Sequence, residues 1–148
     1  MAEQAFVAKG GGRCEKNPVR YEYTRPPFEV HHCLRHDCTA VSGGVMPIIA
    51  VVEKNAFKIV QRADMIKSFD TKPTCYRKFC GTCGGQMYLH VDAFPDFELV
   101  HVPTLDRASD VGLASFRWIF ADSKHPMINV PQDGLPRHAG WAATSRTA

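Results

Sequence analysis

Along most of the chain, short apolar stretches alternate with polar residues and are cut off by turn-forming residues before they reach helical length. Ten prolines and eleven glycines supply the interruptions, so apolar positions recurring at i, i+3, i+4 and i+7 are scarce and period-two runs prevail. These runs predict strands over residues 19–23, 29–33, 45–52, 57–60, 86–91, 97–102 and 116–121. In Met87-Tyr88-Leu89-His90-Val91 the alternation puts Met87, Leu89 and Val91 on one face, the pattern of a half-buried strand. Residues 55–69 form the best helix candidate, although their β-branched members fit a strand and turn equally well. The first dozen residues and the last eight or so read as loose ends.

At 148 residues the chain suits one hydrophobic core. Its 45% hydrophobic and 22% charged composition is that of a globular protein, which excludes a disordered chain. Eighteen Lys and Arg are interleaved with fifteen Asp and Glu for a net charge of +3, and no run of five like charges occurs. A nucleic-acid-binding tail is therefore not expected. The opening MAEQAFVAKGGGRC has neither a secretory apolar region nor an Arg-rich amphipathic pattern, and the longest apolar run, 45–52, is too short to span a bilayer. The expectation is a cytoplasmic protein without membrane contact. In that compartment thiols stay reduced, and the six cysteines read as ligands or nucleophiles before disulfides.

The sharpest motif is FCGTCGG, where Cys80 and Cys83 flank a glycine-containing turn. Two thiolates at this spacing can chelate one ion at about 2.3 Å each, and zinc wants four such ligands. The remaining cysteines, Cys14, Cys33, Cys38 and Cys75, form no second CxxC or CxC. A thioredoxin-like redox motif would need a helix after the first cysteine, whereas Gly-Gly-Gln-Met-Tyr reads as turn and strand.

Taken in order, GGGRCEKNPVRYEY, HHCLRHDC, RKFCGTCGGQMY, HVPTLD and RWIFADSKHPMINVPQDGLPRH resemble the glutathione-dependent formaldehyde-activating enzyme family, which includes the centromere protein V group. The resemblance spans residues 11–138, leaving loose tails at 1–10 and 139–148. It implies a mostly β, β-tent-like single domain, with several short antiparallel sheets around a zinc turn. The family pattern has an early CxC and a late CxxC that share a structural zinc, and a middle CxCxxC that holds a catalytic zinc. Here Cys14 matches the first position of the CxC and Lys16 stands at the second; Cys80 and Cys83 match the CxxC. The implied metal ligands are thus Cys14, Cys80 and Cys83, with the fourth position open to water, a histidine or Cys75. In the middle cluster Cys33 and Cys38 match the outer positions, and Arg35 replaces the central thiol.

Arg35 carries a permanent positive charge where a thiolate would neutralise a dication. Cys33, Cys38 and one of His31, His32 or His36 could still make a three-ligand site if Arg35 pointed away. Otherwise the metal has gone and the pocket is reused, with Cys33, Arg35, His36 and Cys38 as candidate catalytic residues. A thiolate beside cations becomes nucleophilic, a histidine can act as acid or base, and Arg35 suits a carboxylate, enolate or phenolate. In a strand, His31 and Cys33 share one face and His32 takes the other. His90, His101, Trp118 and Phe116 read as core residues, Asp106 as a turn or cap residue. At Met127 the family's usual tryptophan is missing, which could reshape a pocket.

Three functions follow. The first is a small cytosolic enzyme with carbon–sulfur lyase chemistry on a thiol adduct or reactive carbonyl, with zinc as cofactor and glutathione as a possible co-substrate. The second is a divergent member in specialised metabolism, doing metal-free acid–base chemistry through His36 on a larger carbonyl compound. The third is a non-catalytic, zinc-stabilised binding module. One zinc is expected, a second is left open, and the partner is a small molecule.

Overall fold

The computed structural model describes residues 4–72 and 74–141. Among them, ten strands form two sheets. The smaller sheet joins β1 (Ala8–Gly11), β2 (Arg20–Tyr23) and β5 (Phe57–Gln61) in the order β1-β2-β5. The larger runs β10-β3-β4-β9-β8-β7-β6. Its strands are β3 (Glu29–Cys33), β4 (Ile48–Glu53), β6 (Ile66–Lys72), β7 (Cys75–Cys80), β8 (Gln86–Val91), β9 (Phe97–His101) and β10 (Arg117–Ile119). All pairs are antiparallel except β3 with β10. The fold is mostly β with no closed barrel. No helix among the described residues is long and apolar enough to cross a membrane.

The larger sheet is covered on both faces, which explains why β4 reads as the continuous apolar run IIAVV rather than an alternating one. Ala50 and Val52 face the smaller sheet and pack with Tyr21, Tyr23, Val30 and Val100. Ile49 and Val51 face the other way, with Cys33, Leu89, Leu99 and Ile119. Full burial of each such aliphatic side chain is worth about 1.5–3 kcal/mol. The buried tyrosine hydroxyls are satisfied: Tyr21 Oη lies 2.8 Å from Thr104 Oγ1, and Tyr23 Oη donates to the Val111 carbonyl at 2.9 Å.

The strands expected at 29–33 and 86–91 are found with those bounds, and those at 19–23, 57–60 and 97–102 differ by one residue at an end. The strand expected from residue 45 begins only at Ile48, because Val45 and Met46 are exposed, and that expected at 116–121 shrinks to Arg117–Ile119. Met87 does not share a face with Leu89 and Val91. The β7–β8 register slips at this point, pairing Phe79 with Gln86 and Lys78 with Tyr88, so Met87 is the extra residue of a bulge. Alternation restarts behind it, leaving Met87 and Tyr88 in one core cluster and Leu89 and Val91 in the other.

The helix expected over 55–69 is not formed. Lys54–Ala56 and Ala63–Met65 are single 3₁₀ turns that bracket β5 and lead into β6, with Arg62 in the left-handed region at φ 55°. The one α-helix among the described residues, α1 (His36–Ser42), was expected as part of no helix; Gly43 ends it at φ 66°. The loose N-terminal tail gives way at Ala8, where β1 pairs with Tyr21, Glu22 and Tyr23. At the other end Gly140 accepts the Phe120 N–H at 3.1 Å and Trp141 packs on Phe94 and Phe120. Residues 1–3 and 142–148 of the expected tails lie outside the described residues.

Candidate functional site

Two clusters of cysteines meet in space. Cys14, Cys80 and Cys83 bring their Sγ atoms within 4.8 Å of one another, with Cys14 and Cys80 at 3.5 Å. The chain builds this from two sides. Arg13 fastens the N-terminal segment by donating to the carbonyls of Pro103 and Leu105 at 3.0 and 3.2 Å. The thiol turn is closed by Gly84 N–H to the Cys80 carbonyl at 2.8 Å and Cys80 N–H to the Gly85 carbonyl at 3.0 Å, with Gly84 at φ 75°. A Cβ on Gly12 would sit 3.3 Å from Cys80 Sγ, so glycine is what lets the segment pass so close.

Burial pushes the Cys80 thiol up, but N–H donors from Cys83 and Thr82 and the thiols of Cys14 and Cys83 outweigh it and bring Cys80 to about 7. Cys14 goes the other way, to about 11, through burial and the neighbouring sulfurs. One thiolate shared among three sulfurs is a donor set suited to a thiophilic dication. Cys75, weighed for the fourth position, lies at the far end of β7, about 16 Å along the strand at its usual rise. Lys16 is exposed. Among the described residues the cluster stops at three ligands.

The second cluster lines a cavity of about 450 Å³ on the outer face of the larger sheet. β3 contributes His31 and Cys33, the β3–α1 junction Arg35 and Cys38, β7 Cys75 and Arg77, and the end of β9 His101. Ile49, Leu89 and Leu99 form an apolar floor, and Phe94, Phe120 and Trp141 an aromatic wall. Cys33 and Cys38 line the cavity together, and buried Arg77 reaches Cys38 Sγ with Nη2 at 3.7 Å. The neighbouring Cys33 lowers Cys38 to about 6 against its burial, with help from the Arg77 and Arg35 guanidiniums. Cys33 is pushed up by Cys38 and by burial. Cys38 is thus the thiolate of the pair and Cys33 the thiol. Burial, then Arg77, drives His101 down to about 4, so its imidazole is neutral at physiological pH. The buried His31 Nδ1 has no hydrogen-bond partner and lies 3.7 Å from Glu29 Oε1. His101 also borders a second, more open cavity of about 550 Å³ with Gln86 and Thr104.

Of the four catalytic candidates read from the sequence, Cys33, Arg35 and Cys38 come together at this cavity and His36 does not: it is exposed at the start of α1 and is not part of the lining. Arg35 sits 5.5 Å above the Phe120 ring and pairs with Asp37 at 3.5 Å. His31 and Cys33 do share a face, and His32 takes the other, stacked on Trp118 at 3.9 Å. Met127 is 87% exposed and lines no part of the cavity. Asp106 binds the Arg20 guanidinium through both oxygens, a clamp on β2 rather than a turn residue alone. Arg77, Cys75 and His101 escape the sequence reading of the site. Arg77 is buried within β7, CYRKFC, whose polar residues at both phases give no sign of it.

The family described as glutathione-dependent formaldehyde-activating enzyme matches residues 9–121. The chain belongs to this family. A crystal structure of a Rhodobacter sphaeroides protein, determined as a structural genomics target, has a similar fold at a TM-score of 0.56. The two chains are 20% identical, and the match covers 74% of this chain and 98% of that one.

Against the two zinc positions that family resemblance implies, the clusters behave differently. Cys14, Cys80 and Cys83 converge and fit an ion. The middle cluster does not fit one: it has two thiols, a guanidinium bonded to one of them, and a second guanidinium where the third ligand belongs. Among the described residues no third histidine, cysteine or carboxylate completes a group with Cys33 and Cys38.

Proposed function

We propose that the chain is an enzyme of carbon–sulfur lyase type, acting on a thiol adduct or reactive carbonyl in the 450 Å³ cavity through the Cys33–Cys38–Arg77 cluster. The observation that carries this is a pair of cysteines lining an apolar pocket, one of them, Cys38, 3.7 Å from a buried guanidinium that favours its thiolate. Zinc, held by Cys14, Cys80 and Cys83, would serve the fold by pinning the N-terminal segment to the thiol turn.

The pair supplies both proton transfers that cleavage of a hemithioacetal needs. The Cys38 thiolate takes the proton from the substrate hydroxyl, and the oxygen lone pair forms the carbonyl as the C–S bond breaks. The departing sulfur keeps the bonding electrons and takes the Cys33 proton. Charge developing on the substrate oxygen faces Arg77 and Arg35, where a fixed cation in a low-dielectric site is effective. Run backwards, the same steps join a thiol to a carbonyl.

Saturation-transfer NMR on two adducts, formaldehyde with glutathione and 6-formyl-2-naphthoate with 2-mercaptoethanol, tests the proposal. The wild type accelerates exchange of at least one adduct, Cys38→Ser loses at least about 100-fold of that acceleration, and His36→Ala retains it. Acceleration of neither adduct, or full acceleration by Cys38→Ser, rejects the reading.

A further inference from the structure

Resting on that reading of the cavity, we infer that its substrate is an aromatic or comparably apolar carbonyl compound with one anionic oxygen, bound by Arg35. Size is the first argument. A cavity of about 450 Å³ has room for roughly fifteen water molecules at about 30 Å³ each, whereas formaldehyde has two heavy atoms and would leave most of the floor uncovered.

Charge is the second. Glutathione brings two carboxylates and an ammonium, and among the described residues no Asp or Glu lines the cavity to receive the ammonium. Asp37 is already engaged with Arg35, and Glu29 lies by His31 and Arg117. The lining holds two guanidiniums together with the neutral His101; buried Arg77 is directed at Cys38 Sγ at 3.7 Å, while Arg35 meets Asp37 through Nη2 at 3.5 Å. A guanidinium carries five N–H donors, so Arg35 can hold Asp37 on one side and still grip a single anionic group.

Shape is the third. Trp141 meets Phe94 and Phe120 edge-on, with ring centroids 5.7 and 5.2 Å away and interplanar angles of 67° and 74°. The wall therefore offers ring faces and edges in several orientations, and Arg35 sits over Phe120 at its margin. An aromatic ring packed on this wall would present a carboxylate or phenolate to Arg35 while the carbonyl lies towards Cys38.

Binding, measured apart from turnover, tests the substrate class. Titration calorimetry of the intact protein is expected to show 2-naphthoate binding at least about tenfold more tightly than the neutral 2-naphthalenemethanol. Arg35→Ala should bring the two affinities within about threefold of each other. In the wild type, 2-naphthoate should also slow iodoacetamide alkylation of Cys38, located by peptide mapping, more than S-methylglutathione does, a thioether that does not consume the reagent. Equal wild-type affinities for the two naphthalenes, or better protection by S-methylglutathione, overturns the inference. Neither result bears on the loss of exchange in Cys38→Ser, so the substrate class and the thiolate chemistry fail separately.

Discussion

His101 is 7% exposed at the end of β9, and burial with the nearby Arg77 lowers it from 6.5 to about 4. In the unfolded chain the same imidazole takes up a proton near 6.5. Because the folded value is the lower one, the stabilisation is fully present above pH 6.5, is lost as pH falls towards 4, and does not change further below that. At about 1.4 kcal/mol per unit, the interval from 6.5 to 4 is worth about 3 kcal/mol, of which about 2 kcal/mol is gone by pH 5. Replacing His101 with Gln keeps a polar side chain of similar length and removes the titration. Urea unfolding of both proteins at pH 7 and pH 5 should show the wild type losing about 2 kcal/mol more than His101→Gln. His32, also lowered chiefly by burial, titrates in both proteins and drops out of the difference. Parallel losses in the two proteins would show that His101 is not held neutral and would remove the argument that it adds no charge to the cavity.

Elemental analysis of protein purified without added metal should give one zinc per chain, and Cys14→Ser should weaken zinc binding by at least about 100-fold, since it leaves two thiols of three; two zinc ions per wild-type chain would contradict the reading of the middle cluster. Gly12→Ala puts a Cβ 3.3 Å from Cys80 Sγ and should lower zinc affinity about tenfold in chelator competition while the circular dichroism spectrum is retained. Alkylation of Cys38 should follow a titration centred near pH 6, reactive above and protected below. A midpoint above pH 8 would mean that Arg77 and Cys33 do not hold the thiolate.

The legible parts of the fold are those where alternation or a continuous apolar run survives locally, as in β3, β4 and β8. β1 is AKGG, with no pattern to read, and exists because β2 supplies its partners. β6 and β7 have polar residues at both phases, and the β-branched residues within 55–69 go to strands, with the 3₁₀ turn Ala63–Met65 separating Ile59 in β5 from Ile66 in β6. The thiol turn and its link to Cys14 could be anticipated because family order names the positions. Arg77 and His101 could not, since each sits far along the chain from the thiols and joins them only through strand pairing in the larger sheet. His36 was misleading for the opposite reason: two positions from Cys38 along the chain, it turns outward once α1 begins.

Strand β7 carries Cys80 at one end and, three positions earlier, Arg77 in the cavity. The tether at the thiol turn and the guanidinium beside Cys38 are therefore fixed to one rod about 10 Å apart. An ion bound by Cys14, Cys80 and Cys83 would set the position of that rod without approaching the reactant. Chelators would then act as inhibitors at a distance, and an organism short of zinc would lose this catalyst by slackening rather than by removal of a Lewis acid.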